Sequence, residues 1–130
     1  MSNMTTTVAT AVLDGITGHA AYTAPGTLYL ALQTAAQSAM DGTVNGEVTG
    51  SGYARMPIVF GAASAGSASN NALIDFGLAA ANWGTITNFA ICSGPTGNNA
   101  LEYGALGSSI TVNTGQSCQV RVGLISLTLG

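Results

Sequence analysis

The chain has 130 residues and is 47% hydrophobic, yet it carries two cationic and five acidic side chains, for a formal net charge of −3. Both cations are arginines, Arg55 and Arg121, and there is no lysine. That excludes a grip on a nucleic-acid backbone, which needs several Lys or Arg contacts; it excludes a Walker-type phosphate loop, whose glycines are followed by Lys; and the apolar fraction argues against disorder.

The elements follow in chain order. Val8, Val12 and Ile16 recur every four residues, with Ala9 and Leu13 beside them, which predicts a short helix over about 5–17. The Thr5–Thr7 hydroxyls can cap its start, and Gly15 and Gly18 weaken and end it. After Pro25-Gly26 the period changes to two. Leu28, Leu30 and Leu32 alternate with Thr27, Tyr29, Ala31 and Gln33, which predicts a strand with one fully apolar face.

Residues 35–52 carry Gly42, Gly46, Gly50 and Gly52 among polar side chains and read as a long Gly-rich loop. Met56 to Phe60 is a short strand, and Pro57 places it at an edge or at a strand start because it cannot donate to a ladder. Gly61 to Asn71 reads as a small-residue connection, Leu73 to Phe76 as a brief strand and Trp83 to Cys92 as a longer one. Turn chemistry at Ser93 to Asn99 makes 85–92 and 100–106 a hairpin, with Ser109–Val112 a separate strand. In the last strand Cys118, Val120, Val122 and Leu124 share a face. The apolar phase then shifts to Ile125, Leu127 and Leu129, as at a bulge or where a strand passes from one sheet to another.

Short strands punctuated by Gly, Asn and Ser turns, with one helical pattern, predict an all-β, single-domain antiparallel β-sandwich or flattened barrel spanning 1–130, with one short N-terminal helix and strands from about 27 onward. The uncharged stretches Gly15–Met40 and Phe76–Leu101 are broken by Pro, Gly, Asn and Gln, so no membrane span is expected. Met1 to Ala11 has no basic residue and no continuous apolar core. No signal peptide is read there, which places synthesis in a cytoplasm.

The search for chemistry finds little. His19 sits past the helix, where a helix-end role suits it better than catalysis. Asp14, Asp41, Glu47, Asp75 and Glu102 are scattered, and no spacing marks a catalytic pair. Asp41 with Asn45 and Glu47 only faintly resembles a calcium loop and lacks its spacing. No enzyme activity, cofactor or metal is therefore expected. Arg55 is the sharper feature. It follows the Gly-rich loop, its nearest acid is Glu47, and a bidentate Glu47–Arg55 ion pair would pin that loop. Cys92 and Cys118 read either as two buried thiols or as one disulfide between strands; closing that separation would contribute about 3 kcal/mol.

Several blocks resemble a known family. They include Ala21-Tyr22-Thr23-Ala24-Pro25 leading into Leu28 to Leu32, Gly52-Tyr53-Ala54-Arg55, Val59-Phe60-Gly61-Ala62, Trp83-Gly84-Thr85-Ile86-Thr87 and Tyr103-Gly104-Ala105-Leu106. In this order they resemble small tailed-phage virion structural proteins of the tail fibre or minor tail type; Cys92 and Cys118 fall outside the resemblance. It implies a non-enzymatic bacteriophage protein made in the host cytoplasm and carried on the virion.

Its work would be to bind itself and neighbouring virion proteins, as a capsid decoration or cement protein or as a tail or fibre component. The low charge adds the expectation of a homo-oligomer, a trimer first, with the major capsid protein or tail proteins as neighbours and no nucleic acid or membrane. The alternative is a carbohydrate-binding or receptor-binding β-sandwich module that stacks a ligand on Tyr22, Tyr29, Tyr53, Tyr103 or Trp83.

Overall fold

The structure is a computed structural model and describes residues 3–129. A two-residue strand β1 (Asn3–Met4) precedes the helix α1 (Thr6–Ile16). Thr5 is the N-cap: its backbone is extended and its hydroxyl accepts from the Val8 amide at 3.4 Å. The Thr5 and Thr6 amides donate to the carbonyls of Leu101 and Met40, both at 2.9 Å, so the helix start is tied to the body of the protein. At the other end the Thr17 amide donates back to Leu13, and Gly18 takes the left-handed conformation (φ 76°) that terminates many helices.

The remaining elements are strands: β2 (Leu28–Gln33), β3 (Met56–Ile58), β4 (Ser67–Ser69), β5 (Ile74–Leu78), β6 (Gly84–Cys92), β7 (Ala100–Val112), β8 (Ser117–Val120) and β9 (Ser126–Thr128). They form a five-stranded sheet in the order β1-β7-β6-β2-β3 and two ribbons, β4-β9 and β5-β8. All pairings are antiparallel. The five-stranded sheet ends in β1 on one side and β3 on the other. It stays open, which sets the flattened-barrel alternative aside. Pro57 lies in the edge strand β3, where its missing donor costs no ladder bond.

Each face of the central sheet has its own cluster. Leu30 stands opposite Ile91 and Leu32 opposite Phe89, and these join Ile86, Ile74, Phe76, Val120 and Ile125 in the main core shared with the ribbons. The alternate residues Ala31, Ala90, Cys92, Ala100 and Tyr103 form a smaller cluster, covered by Tyr29, Met40 and Val44. The long loop after β2 thus supplies a lid for the second face, which is why β2 is buried on both sides from Leu30 to Gln33.

Three details differ from the sequence-based expectation. Residues 109–112 belong to β7 rather than to a separate strand. The β6–β7 register shifts between Ile86 and Asn88, so Thr87 faces the excursion at 106–109. That shift brings Ile86 onto the same buried face as Phe89 and Ile91. Within the small-residue connection, Ser67-Ala68-Ser69 forms β4 and pairs with β9; small polar side chains leave no alternating signal of such a strand. The final apolar run divides into β8 and β9, which belong to different ribbons, and Val122 in the turn between them is 58% exposed. Among the described residues no helix is long and apolar enough to cross a membrane.

Candidate functional site

The densest polar construction in the molecule centres on Arg55. The chain reaches it from β2 through a loop that is itself pinned. The Val48 amide donates to Leu32 at 3.0 Å, and Glu47 forms a bridge with Gln33. Arg55 then donates through all five of its N–H groups. Nε gives 2.8 Å to Glu47 Oε2 and Nη2 gives 2.9 Å to Oε1, the two-pronged geometry that suits a guanidinium and a carboxylate. Nη2 also reaches the Gly97 carbonyl at 2.7 Å, while Nη1 reaches the Gly94 carbonyl at 3.1 Å and Asn99 Oδ1 at 3.0 Å.

The Arg55 side chain is 3% exposed and that of Glu47 is 23% exposed. A buried charge is tolerable only when paired and fully hydrogen-bonded, and here every donor has an acceptor. The Glu47 carboxylate raises the guanidinium pKa further, against the opposing effect of burial. Tyr53 completes the group. Its hydroxyl accepts from the Leu32 amide at 3.0 Å and donates to Glu47 Oε2 at 2.8 Å. Burial and the adjoining Glu47 carboxylate push the phenol pKa up, so it stays protonated as a donor. The arrangement joins three segments, the end of β2, the 47–55 loop and the 93–99 turn. It holds no exposed nucleophile or base and has the character of a cross-link.

Two smaller constructions share that logic. The Tyr103 hydroxyl accepts from the Gly42 amide at 3.0 Å and donates to the Thr43 carbonyl at 2.6 Å, which fastens the loop over the second face. Asn70, fully buried, donates to the carbonyls of Ala72 and Arg121 and accepts from the Ile125 amide, all at 3.0 Å. The Gly123 amide donates to the Asn70 carbonyl at 3.1 Å, so one asparagine shapes the whole 121–125 turn. Asn70 was not singled out from sequence. Its neighbour Asn71 and the surrounding Ser, Gly and Ala suggested only a solvated connection.

The other sequence candidates are dispersed. The Glu47–Arg55 pair is formed as described. Cys92 and Cys118, by contrast, are not joined and are both buried free thiols. Cys92 belongs to the small cluster and Cys118 to the main core, on opposite faces of the central sheet. Burial pushes both thiols up to about 11, which keeps them protonated and unreactive.

Asp41 turns back on Thr43, accepting from its amide at 3.1 Å and its hydroxyl at 2.6 Å, while Glu47 is committed to Arg55. Among the described residues no group of three or more His, Cys, Asp and Glu could hold a metal ion. His19 is exposed beyond the helix, and its amide closes the helix end onto Asp14 at 2.9 Å.

The aromatic residues proposed as a stacking surface are mostly interior. Trp83 and Tyr103 are buried. Tyr53 stacks on Phe76 with ring centroids 6.0 Å apart and meets Trp83 edge-on at 5.5 Å. Tyr29 packs against the second-face cluster, and Tyr22 is exposed beside α1. They do not gather into one open platform.

The outer surface is the opposite of this interior. Leu13, Ile16, Tyr22, Val59, Leu73, Leu78, Val122 and Leu129 all remain exposed. The family described as Podophage GP4 fiber I protein gp80 matches residues 3–128 of the chain. No curated protein matches it.

Proposed function

Because the chain belongs to this podophage fibre protein family, and is thereby a bacteriophage virion component, we propose that it acts without catalysis, by binding copies of itself and neighbouring virion proteins at the particle surface. The observation that carries this reading is the pairing of an internal Arg55 cross-link, whose donors are all satisfied within the chain, with an outer surface of exposed large apolar side chains and almost no charge. Exposed apolar area with little charge favours contact with protein over contact with water. Removing it from water contributes roughly 25 cal/mol per Å².

The oligomer expected is a trimer. The neighbours expected are other tail or fibre proteins, or the major capsid protein if the chain decorates the head. The family supports the fibre setting more directly than the capsid one. Carbohydrate or receptor binding is less well supported, because Trp83, Tyr53 and Tyr103 are spent in the interior.

Two measurements test this. Size exclusion with light scattering should give a stable oligomer at micromolar concentration; a monomer would count against self-association. Quantitative mass spectrometry of purified particles should give a copy number that fits fibres, a few to some dozens. Hundreds of copies would move the protein to the capsid.

A further inference from the structure

A groove opens where α1 and the 20–25 segment lie over the edge of the central sheet. Val8 and Val12 of α1 line one part, Ala68 and Leu127 of the β4-β9 ribbon another, and Ile91 and Glu102, cross-strand partners on β6 and β7, a third. Its volume is about 590 Å³, and Glu102 is the one charged residue lining it. Glu102 Oε2 is buried there without a hydrogen-bond partner. A buried unpaired carboxylate oxygen is costly, so the groove is incomplete as it stands. Its helical wall is incomplete as well. An 11-residue helix is marginal without tertiary packing, and no residue of α1 is buried.

A complementary feature lies elsewhere on the same chain. The turn after β8 presents Val122, 58% exposed, directly beside exposed Arg121. Asn70 holds this turn rigid through the Arg121 carbonyl and the Gly123 amide. Among the described residues, Arg55 and Glu47 form the single ion pair. Arg121 is the remaining cation of the chain, and it makes no ion pair within the described residues. An apolar knob next to one cation matches an apolar groove with one unsatisfied carboxylate.

We infer that a second copy of this chain docks its 121–123 turn in the groove, with Val122 entering the apolar part and Arg121 meeting Glu102. This rests on the self-association reading above and gives that reading a contact. Knob and groove are different surfaces, so the contact is head-to-tail and closes into a ring when the rotation between copies allows it. The small net charge of −3 offers little resistance to such packing.

The test uses the full chain in sedimentation equilibrium, with thermal melts to confirm folding. Val122→Asp changes an exposed turn side chain, and Glu102→Gln is nearly isosteric, so both variants should fold. The wild type should be oligomeric, V122D should dissociate, and R121Q and E102Q should each weaken association by at least about tenfold. The double variant R121Q/E102Q should be little weaker than either single one, because both remove the same contact.

A monomeric wild type overturns the self-association reading and this contact together. An oligomer that survives both V122D and E102Q leaves self-association standing and overturns this interface. Fully additive effects of R121Q and E102Q overturn the pairing of those two side chains.

Discussion

The end of the molecule around Arg55 and the side around α1 handle polar groups in opposite ways. At Arg55 a buried cation has five acceptors, drawn from the 47–55 loop and the 93–99 turn. Beside α1 a carboxylate oxygen is buried with none. The Arg55 donors are all paired within one chain, while the second region exposes Leu13 and Ile16 on a helix none of whose residues is fully buried. The difference teaches where to look for partners. Arg55, with every donor paired, holds its own loops together, whereas the unpaired Glu102 oxygen marks the groove where the inferred second copy is to be tested.

The contrast is broken most directly by Arg55→Ala. It strips Glu47 of its ion-pair partner, leaving it the Tyr53 hydroxyl, and the 93–99 turn of three acceptor contacts, and breaking a buried ion pair costs about 3–5 kcal/mol. The melting temperature should fall steeply, and amide exchange should accelerate in both 41–52 and 93–99. Unchanged exchange in those segments would mean the clamp does not hold them.

Gly104→Ala should follow in size. A Cβ at Gly104 would stand 2.5 Å from the ring of fully buried Phe89, and overpacking a tight core typically costs about 1–3 kcal/mol. Chemical denaturation should show a lowered midpoint at unchanged slope. Double substitution with Phe89→Leu should recover part of the loss.

A smaller effect of opposite sign is expected at Ala65. It is the non-glycine residue with positive φ among those described, at 53°, in a two-residue turn closed by Ser64 and Ser67 at 2.8 and 3.0 Å. Asparagine tolerates that conformation better than alanine, so Ala65→Asn should stabilise the protein by about 0.5–1 kcal/mol. A lower melting temperature for that variant would contradict the turn geometry.

The subtlest test concerns Glu102, whose carboxyl pKa is raised above its ordinary value by burial. An acid with a raised folded-state pKa binds more protons folded than unfolded between its two pKa values. Stability of the unassociated chain should therefore decline as pH rises through that window. The dissociated V122D variant should show this decline, and adding E102Q should flatten it. Identical pH profiles for the two would mean Glu102 is adequately solvated.

Much of the fold was legible from local pattern. The four-residue spacing of Val8, Val12 and Ile16 announced the helix, and the alternation of Leu28, Leu30 and Leu32 announced a strand with a buried face. The phase shift after Leu124 marked the passage from one ribbon to the other. The Glu47–Arg55 contact was readable because the chain has so few charges that its nearest acid was the natural partner. The rest was not local. Asn70 looked like turn filler because its partners at 121 and 125 are distant in sequence. Trp83 gave no hint that Gly50 must lie against it, where a Cβ would run into its ring.

By itself, then, the sequence determined a nearly uncharged all-β chain with one helix and a cation kept for its loop, since periodicity and composition act over a few residues. Tertiary structure decided the bulge opposite Thr87, the separation of Cys92 from Cys118 across the central sheet, and the isolation of Glu102 in an apolar groove. These depend on cross-strand register. Register is set by contacts between residues far apart in the chain, and a one-residue slip would send each of those side chains to the other face.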